Sequence, residues 1–390
     1  MFHGEVFFHK GEGYIMIYRL PNYRDLTIEQ RKIIDLPIDK NFVIEGGPGT
    51  GKSILAAYRA KRISEMKSTG KVLVLVYNRP LAQFMSEYLI KLACTNCEAD
   101  TYYNWLYKYF NKHFNGKYPN FGEFKPNWKA IEEYFDFIKE KYEHIIIDET
   151  QDFPIELLQI LKKRTKYMTC FIDGNQAIYN TDTNTSDVID VCGVGSTIKL
   201  VKSFRCSKEI FDVCKEFCNT INVRCDNASG LKPIAVDCGC TIDYEKMNEV
   251  LVEYVKLVKN NLNARQIGII VNRQNVDVLY KYLKSKLQPF NVQKHVEIHH
   301  TLDFSIEGVK IVTYGTMKGL EFDAVILPCF ERVYSTGNTM KDSNRLYVAG
   351  TRANKLLAIL YFSGLVKNTD FMNTIQRLRK NKDALTWRYA

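Results

Sequence analysis

Apolar residues in this chain come in short continuous runs that alternate with stretches of helical period. Between residues 42 and 175 the runs are FVIEG, VLVLVY (Val72 to Tyr77), HIIID and MTCFID (Met168 to Asp173). Runs this short, with few internal polar positions, read as strands buried on both faces, as in a parallel sheet. Segments between them carry helix spacing, as in SILAAYRA, Ser53 to Ala60. A second series begins after about residue 198 with IKLVKSF, followed by QIGIIVN (Gln266 to Asn272), VKIVTYG (Val309 to Gly315), AVILPCF (Ala324 to Phe330) and LAILYF (Leu357 to Phe362). This alternation predicts an α/β protein with mainly parallel sheets in two lobes, 1–198 and 199–390.

The chain has 390 residues, a length that suits two or three domains, and 46% hydrophobic with 25% charged residues is the composition of a soluble protein. The N-terminal MFHGEVFFHKGEGYIMIYRL is interrupted by His, Lys, Glu and Gly, so it lacks a signal-peptide core, and no run reaches about 18 apolar residues. A cytoplasmic protein without a membrane partner is expected. Eleven scattered cysteines fit reduced thiols better than a disulfide framework. Cys94 and Cys97 have metal-like spacing, and either Cys214, Cys218 and Cys225 or Cys238 and Cys240 could be imagined as partners, but no second zinc-type pair follows. No repeat, low-complexity tract or linker stands out. The net charge of +10 favours a polyanionic partner such as nucleic acid.

Chemistry concentrates in two motifs. GGPGTGKS, Gly46 to Ser53, fits G-x-x-x-x-G-K-[ST] and lies between a strand run and a helix pattern. Gly46, Gly47, Pro48, Gly49, Thr50 and Gly51 would curl so that backbone N–H groups converge on a phosphate at a helix N-terminus. Lys52 would supply a point charge to the β- and γ-phosphates, and the Ser53 hydroxyl would ligate Mg²⁺. The second motif is HIIIDETQDFP, His144 to Pro154, in which a buried strand delivers Asp148 and Glu149 at its C-terminal end. Ligands of open α/β sheets bind at such ends. Asp148 would hold Mg²⁺, and Glu149 would orient and deprotonate the attacking water. The pair describes an ATPase.

Beyond that pair, the ordered motif series across residues 26 to 362 resembles superfamily 1 helicases of the UvrD/Rep type. LTIEQ resembles the family's adenine-recognising motif, VLVYNRPLAQ its first single-strand motif and TYY, 101 to 103, its second. DETQD resembles the Mg²⁺ strand, and FIDGNQAIY, 171 to 179, the motif that couples γ-phosphate to DNA. SFRCS, 203 to 207, VTYGTMKGLEFDAVIL and NRLYVAGTRA, 344 to 353, resemble the C-terminal motifs. The resemblance implies two RecA-like lobes with ATP and Mg²⁺ in the cleft between them. Gln30 would read the adenine edge, Phe204 would stack on its ring, and Gly319 and Glu321 would meet the nucleotide, Glu321 at the ribose. Gln176 would sense the γ-phosphate, and Arg205 and Arg352 would reach it as arginine fingers. Asn78, Arg79, Thr101, Tyr102, Tyr179 and Thr313 would contact the strand.

The implied activity is ATP-dependent 3′→5′ translocation on single-stranded DNA, in repair or antiphage defence, with a nuclease as one conceivable partner. Three departures bear on it. The expected Trp after AIY is replaced by Asn180-Thr181, Gly315 stands at the usual His, and residues 102–142 and about 281–308 are too short for accessory domains of at least about 50 residues. This points to a compact form, for which an ATPase switch without processive unwinding is the alternative. A phosphate-transferring kinase would leave the arginine motifs unexplained. The segment 101–129 interleaves aromatics and lysines; strand binding and a helical core with Trp105, Tyr109 and Phe110 both fit it. RLRKNK, Arg377 to Lys382, could add phosphate contacts, though a solvated helix end is the simpler reading.

Overall fold

The apolar runs form strands, and with more polar strands such as CEADT, VQKH and TWRY they assemble into two parallel sheets. In chain order the first sheet uses β1 (Phe42–Gly46), β2 (Val72–Val76), β3 (Cys97–Thr101), β4 (Tyr142–Ile147), β5 (Thr165–Ile172) and β6 (Ile198–Leu200). They stand in the order β3-β2-β4-β5-β1-β6, and every neighbouring pair is parallel. Parallel pairing forces each connection to cross over the sheet, and helices make those crossovers. The helices of this half are α1 (Ile28–Ile34), α2 (Lys52–Met66), α3 (Arg79–Lys91), α4 (Tyr102–Phe114), α5 (Trp128–Asp136), α6 (Ile155–Lys163) and α7 (Thr185–Cys192). This computed structural model describes residues 20–116, 118–120, 122, 126–139, 141–173, 183–217, 223–225, 227–295, 302–304, 306–317, 319–331, 339–365, 369–381 and 384–390, with backbone alone at 80, 339–344, 365 and 369–372.

Successive strand residues point to opposite faces, so each continuous apolar run feeds two cores. Val72, Val74 and Val76 pack with Leu55 and Ile63 of α2 and Phe84 of α3. Leu73, Leu75, Ile145 and Ile147 pack on the other side with Trp105, Phe110 and Leu157. The aromatic–basic segment thus resolves in part as core: Trp105 and Tyr109 stack on Phe135 of α5 at 5.8 and 4.8 Å. Lys108 of the same helix turns outward to pair with Asp100 at 2.7 Å.

The second sheet orders β9 (Ile234–Asp237), β10 (Gln266–Val271), β11 (Val292–His295), β12 (Gly308–Thr313), β13 (Phe322–Leu327), β14 (Ala353–Tyr361) and β15 (Thr386–Tyr389) as β11-β12-β10-β13-β14-β9-β15. All its pairs are parallel too. Its helices are α8 (Lys208–Lys215), α9 (Tyr244–Leu262), α10 (Val276–Lys286), α11 (Thr339–Gly350) and α12 (Thr369–Lys380). Among the described residues no helix is long and apolar enough to cross a membrane.

One sequence expectation is corrected here. IKLVKSF does not open the second sheet: Ile198–Leu200 is β6 on the edge of the first, pairing Ile44 with Ile198 and Gly46 with Leu200. The chain leaves that sheet at the exposed Val201, and Lys202–Ser203 forms β7, paired with β8 (Arg224–Cys225) in a separate two-stranded ribbon. The lysines at 199 and 202 divide what the eye reads as one apolar run.

Candidate active site

β1 delivers the chain to a loop that turns twice through left-handed backbone, at Gly49 (φ +76) and Gly51 (φ +90), before α2 begins at Lys52. Both positions need glycine for space as well as for φ. A Cβ on Gly49 would stand 2.6 Å from Ser203 Oγ and from Arg205 Cβ, and one on Gly51 would stand 2.8 Å from Gln30 Nε2. The ribbon strand β7 and the residues after it are docked on this loop: Phe204 N donates to Gly49 O at 2.8 Å and Ser203 Oγ to Pro48 O at 3.1 Å. Gly46, Gly47 and Thr50 form the back of the loop, where Thr50 Oγ1 donates to Gly47 O at 2.9 Å. Lys52 is buried, with Nζ donating to Gly46 O at 2.8 Å and Gly47 O at 3.2 Å and lying 3.4 Å from Asp173 Oδ2. A cation held inside a ring of its own loop carbonyls is poised for a phosphate oxygen to replace them.

At the end of β4 the backbone reverses through Glu149, which adopts left-handed φ 54 and ψ 48. A non-glycine residue in that region costs of order 1–3 kcal/mol and persists only where its surroundings hold it. The reversal leaves Asp148 fully buried behind the loop and puts Glu149 on the cavity wall. Burial pushes the Asp148 carboxyl up from the ordinary range, the neighbouring Glu149 adds to this, and the Ser53 hydroxyl and Lys52 ammonium act against it. Asp148 Oδ1 accepts from Glu149 N at 3.1 Å, while Oδ2 has no hydrogen-bond partner among the described residues. A buried carboxylate oxygen without a donor, with Ser53 close enough to influence its titration, fits a hard dication that takes oxygen ligands and keeps the rest of its shell for phosphates and water.

A cavity of about 500 Å³ opens in front of these groups, and both lobes line it. From the first come Gln30, Pro48, Gly49, Gly51, Lys52, Ser53 and Glu149; from the chain beyond β6 come Phe204, Arg205, Gly319, Glu321 and Arg352. Arg205 Nε pairs with Glu321 Oε1 at 2.5 Å. Arg352, 2% exposed, donates from Nε to Val348 O at 3.1 Å and from Nη1 to Leu320 O at 3.4 Å. Leu81, Phe84, Tyr88 and Leu26 give one end of the cavity an apolar wall. Gln30 Oε1 accepts from Thr27 N at 3.1 Å and Nε2 donates to Thr50 O at 3.2 Å. These two bonds fix which way the amide faces and leave one N–H and one lone pair, the complement of an adenine edge.

The strand candidates are not gathered in the same way. Arg79 is exposed, and Asn78 caps α3 through Leu81 N at 2.9 Å and lies 3.7 Å from where a Gly319 Cβ would stand. Thr101, Tyr102 and Thr313 are buried in this conformation. Thr101 caps α4 through Asn104 N, Tyr102 packs on Phe153 with ring centres 5.2 Å apart, and Thr313 bonds Thr316 Oγ1 at 3.0 Å. Gln176, Tyr179, Asn180 and Thr181 lie outside the described residues. Two residues without an assigned role in the sequence stand inside the site: Asp173 beside Lys52, and Gln151, which bonds both Glu149 and Asp173 N.

Residues 30–182 match the AAA domain family, and residues 280–364 match the UvrD-like helicase C-terminal domain family. The first match contains the Lys52 loop and the Asp148 strand; the second contains Glu321 and Arg352. Among solved structures, the C-terminal domain of a possible DNA helicase from Lactobacillus plantarum WCFS1 matches at 22% identity and a TM-score of 0.36, covering 47% of this chain and 98% of that one. No curated protein matches the chain.

Proposed function

Because the chain belongs to the UvrD-like helicases, we propose that it hydrolyses ATP to ADP and phosphate in the cleft between its lobes and uses the cycle to translocate 3′→5′ on single-stranded DNA. The observation that carries this reading is the shared cavity wall, with Lys52 on one side and Arg205 and Arg352 on the other. Lys52 neutralises the β- and γ-phosphates, and Asp148 with Ser53 holds Mg²⁺, which supplies charge neutralisation there when bound. Glu149 takes a proton from the attacking water. Arg205 and Arg352 stabilise the charge of the transferring phosphoryl group, an effect worth about 10³ to 10⁵ in rate in related transfers. Gln30 selects adenine and Phe204 stacks on it. Loss of the γ-phosphate removes a ligand common to both lobes, so their relative affinity for a strand changes with each turnover.

The burial of Thr101, Tyr102 and Thr313 favours a second reading, an ATP-gated switch that grips nucleic acid or a partner without directed movement. One assay separates them: ATP turnover with single-stranded DNA of increasing length, single-stranded RNA, duplex or no polymer, with Lys52→Ala as the blank. We expect single-stranded DNA to stimulate turnover, longer strands to stimulate it more, rising salt to weaken the effect, and Lys52→Ala to sit at background. Polymer-independent turnover would remove the motor. A stimulation insensitive to strand length would leave the switch, and activity surviving Lys52→Ala would remove the site itself.

A further inference from the structure

We propose that Gln151 is a positioning residue for hydrolysis, its amide locking the Glu149 carboxylate to the end of β5 so that the proton acceptor is aligned while Asp173 and Lys52 are in place. This rests on the ATPase reading above. Gln151 is 1% exposed. Its Nε2 donates to Glu149 Oε2 at 2.6 Å, and its Oε1 accepts from Asp173 N at 2.9 Å. Asp173 in turn places Oδ2 3.4 Å from Lys52 Nζ. One side chain therefore spans from the water-activating carboxylate to the backbone of the residue that pairs with the phosphate-loop lysine.

The chemistry of the link is specific to an amide. A donor is needed at one end and an acceptor at the other, and only glutamine supplies both at this length. Glutamate could accept from Asp173 N, but it would set a second negative charge against Glu149. Without the link, Glu149 begins from a strained backbone and its Oε2 loses the Gln151 donor that ties it to the end of β5. In the step it serves, the water oxygen bonds to the γ-phosphorus and the bond from that phosphorus to the bridging oxygen breaks. The electron pair leaves with ADP, and the water's proton goes to Glu149. Misplacement by about 1 Å in such a step costs about 10²-fold, whereas ground-state binding of the phosphates, made by the loop and Lys52, is untouched.

The test uses the full chain with saturating single-stranded DNA and compares Gln151→Ala, the near-isosteric Gln151→Met and Gln151→Glu with wild type. For each we read kcat, KM for ATP, ADP affinity and thermal midpoint. We expect kcat to fall by about 10- to 100-fold in every folded variant, with KM and ADP affinity within about threefold of wild type. Gln151→Glu is the discriminating arm, because it can keep the bond to Asp173 N while it replaces the donation to Glu149 by a like charge. Wild-type kcat in Gln151→Glu, or in either apolar variant, overturns the proposal. So does a loss carried by KM, which would assign Gln151 to nucleotide binding. If Gln151→Ala fails to fold, the other two variants decide. Failure of wild type to turn over ATP would instead sink the ATPase reading on which this rests.

Discussion

Gly49 shows how much a single position carries. Its φ of +76 is cheap only for glycine, and the space its Cβ would need is taken by Ser203 Oγ and Arg205 Cβ. Gly49→Ala therefore combines a backbone cost of about 1 kcal/mol with displacement of the ribbon residues that dock on the loop. Gly239 is the matched control, with φ +109 and nothing within 4 Å of its Cβ. We predict that both Ala variants lower the thermal midpoint by a few degrees, about 2–4 °C per kcal/mol at this size, but that only Gly49→Ala loses ATP binding by tenfold or more. Equal loss of binding in both, by titration with a fluorescent ATP analogue, would refute the contact. The turn at Gly49 is legible from motif spacing, because a phosphate loop requires it. The docking of Ser203 on Pro48, 155 positions away, is not, since no local pattern encodes which distant residue fills the space. Gln151 was legible as a motif letter, yet its role depends on β5 standing beside β4, which is a matter of sheet order.

Strand β4 carries a polar residue within its buried run, and its surroundings set the strand's response to acid. His144 is fully buried between sheet faces, with Nε2 2.8 Å from Thr169 Oγ1 on β5. Burial pushes the imidazole down to about 3, helped by the charges of Arg59 and, more weakly, Lys162. The native state thus keeps His144 neutral where the unfolded chain, with an ordinary value near 6.5, takes up a proton. Its contribution to stability is complete above about pH 6.5 and is lost as pH falls toward 3, at up to about 1.4 kcal/mol per pH unit. Between about pH 7.5 and about pH 5 the loss is about 2 kcal/mol. We predict that the urea midpoint of wild type falls over that interval and that His144→Gln, which can keep a bond to Thr169, falls by less. Parallel pH curves for the two proteins would rule this out. At the element scale most of the fold was readable, because runs such as VLVLV have to be covered on both faces. IKLVKSF was misread because a lysine-interrupted apolar run does not say which sheet edge it will join. In α4 the helical spacing of Trp105, Tyr109 and Phe110 gave the right partner, the core, over the competing strand-groove reading.

At the scale of the whole molecule, the proposed function depends on groups from one sheet acting on a ligand seated on the other. Arg352 is the sharper probe. It follows α11 and opens onto the cavity, and Val348 O and Leu320 O of its own lobe accept hydrogen bonds from it. ADP lacks the phosphate that Arg352 is proposed to reach, so ADP affinity should be nearly indifferent to its loss while ATP turnover should not. Arg352→Ala also takes the Nη1 donor from Leu320 O and leaves Val348 O with Thr351 Oγ1 alone, at about 1–3 kcal/mol, so kinetics must be read well below the variant's thermal midpoint. Arg352→Lys removes that objection in part, because it retains the charge and forfeits the planar fork that can hold carbonyls and phosphate together. We predict that both variants bind ADP within about threefold of wild type and lose about 10³-fold or more in kcat. A variant that loses ADP and ATP binding alike would make Arg352 a scaffold for the second lobe. Loss of turnover with ADP binding intact would instead mean that the two lobes share one active centre, which is the condition for converting hydrolysis into movement of one lobe against the other.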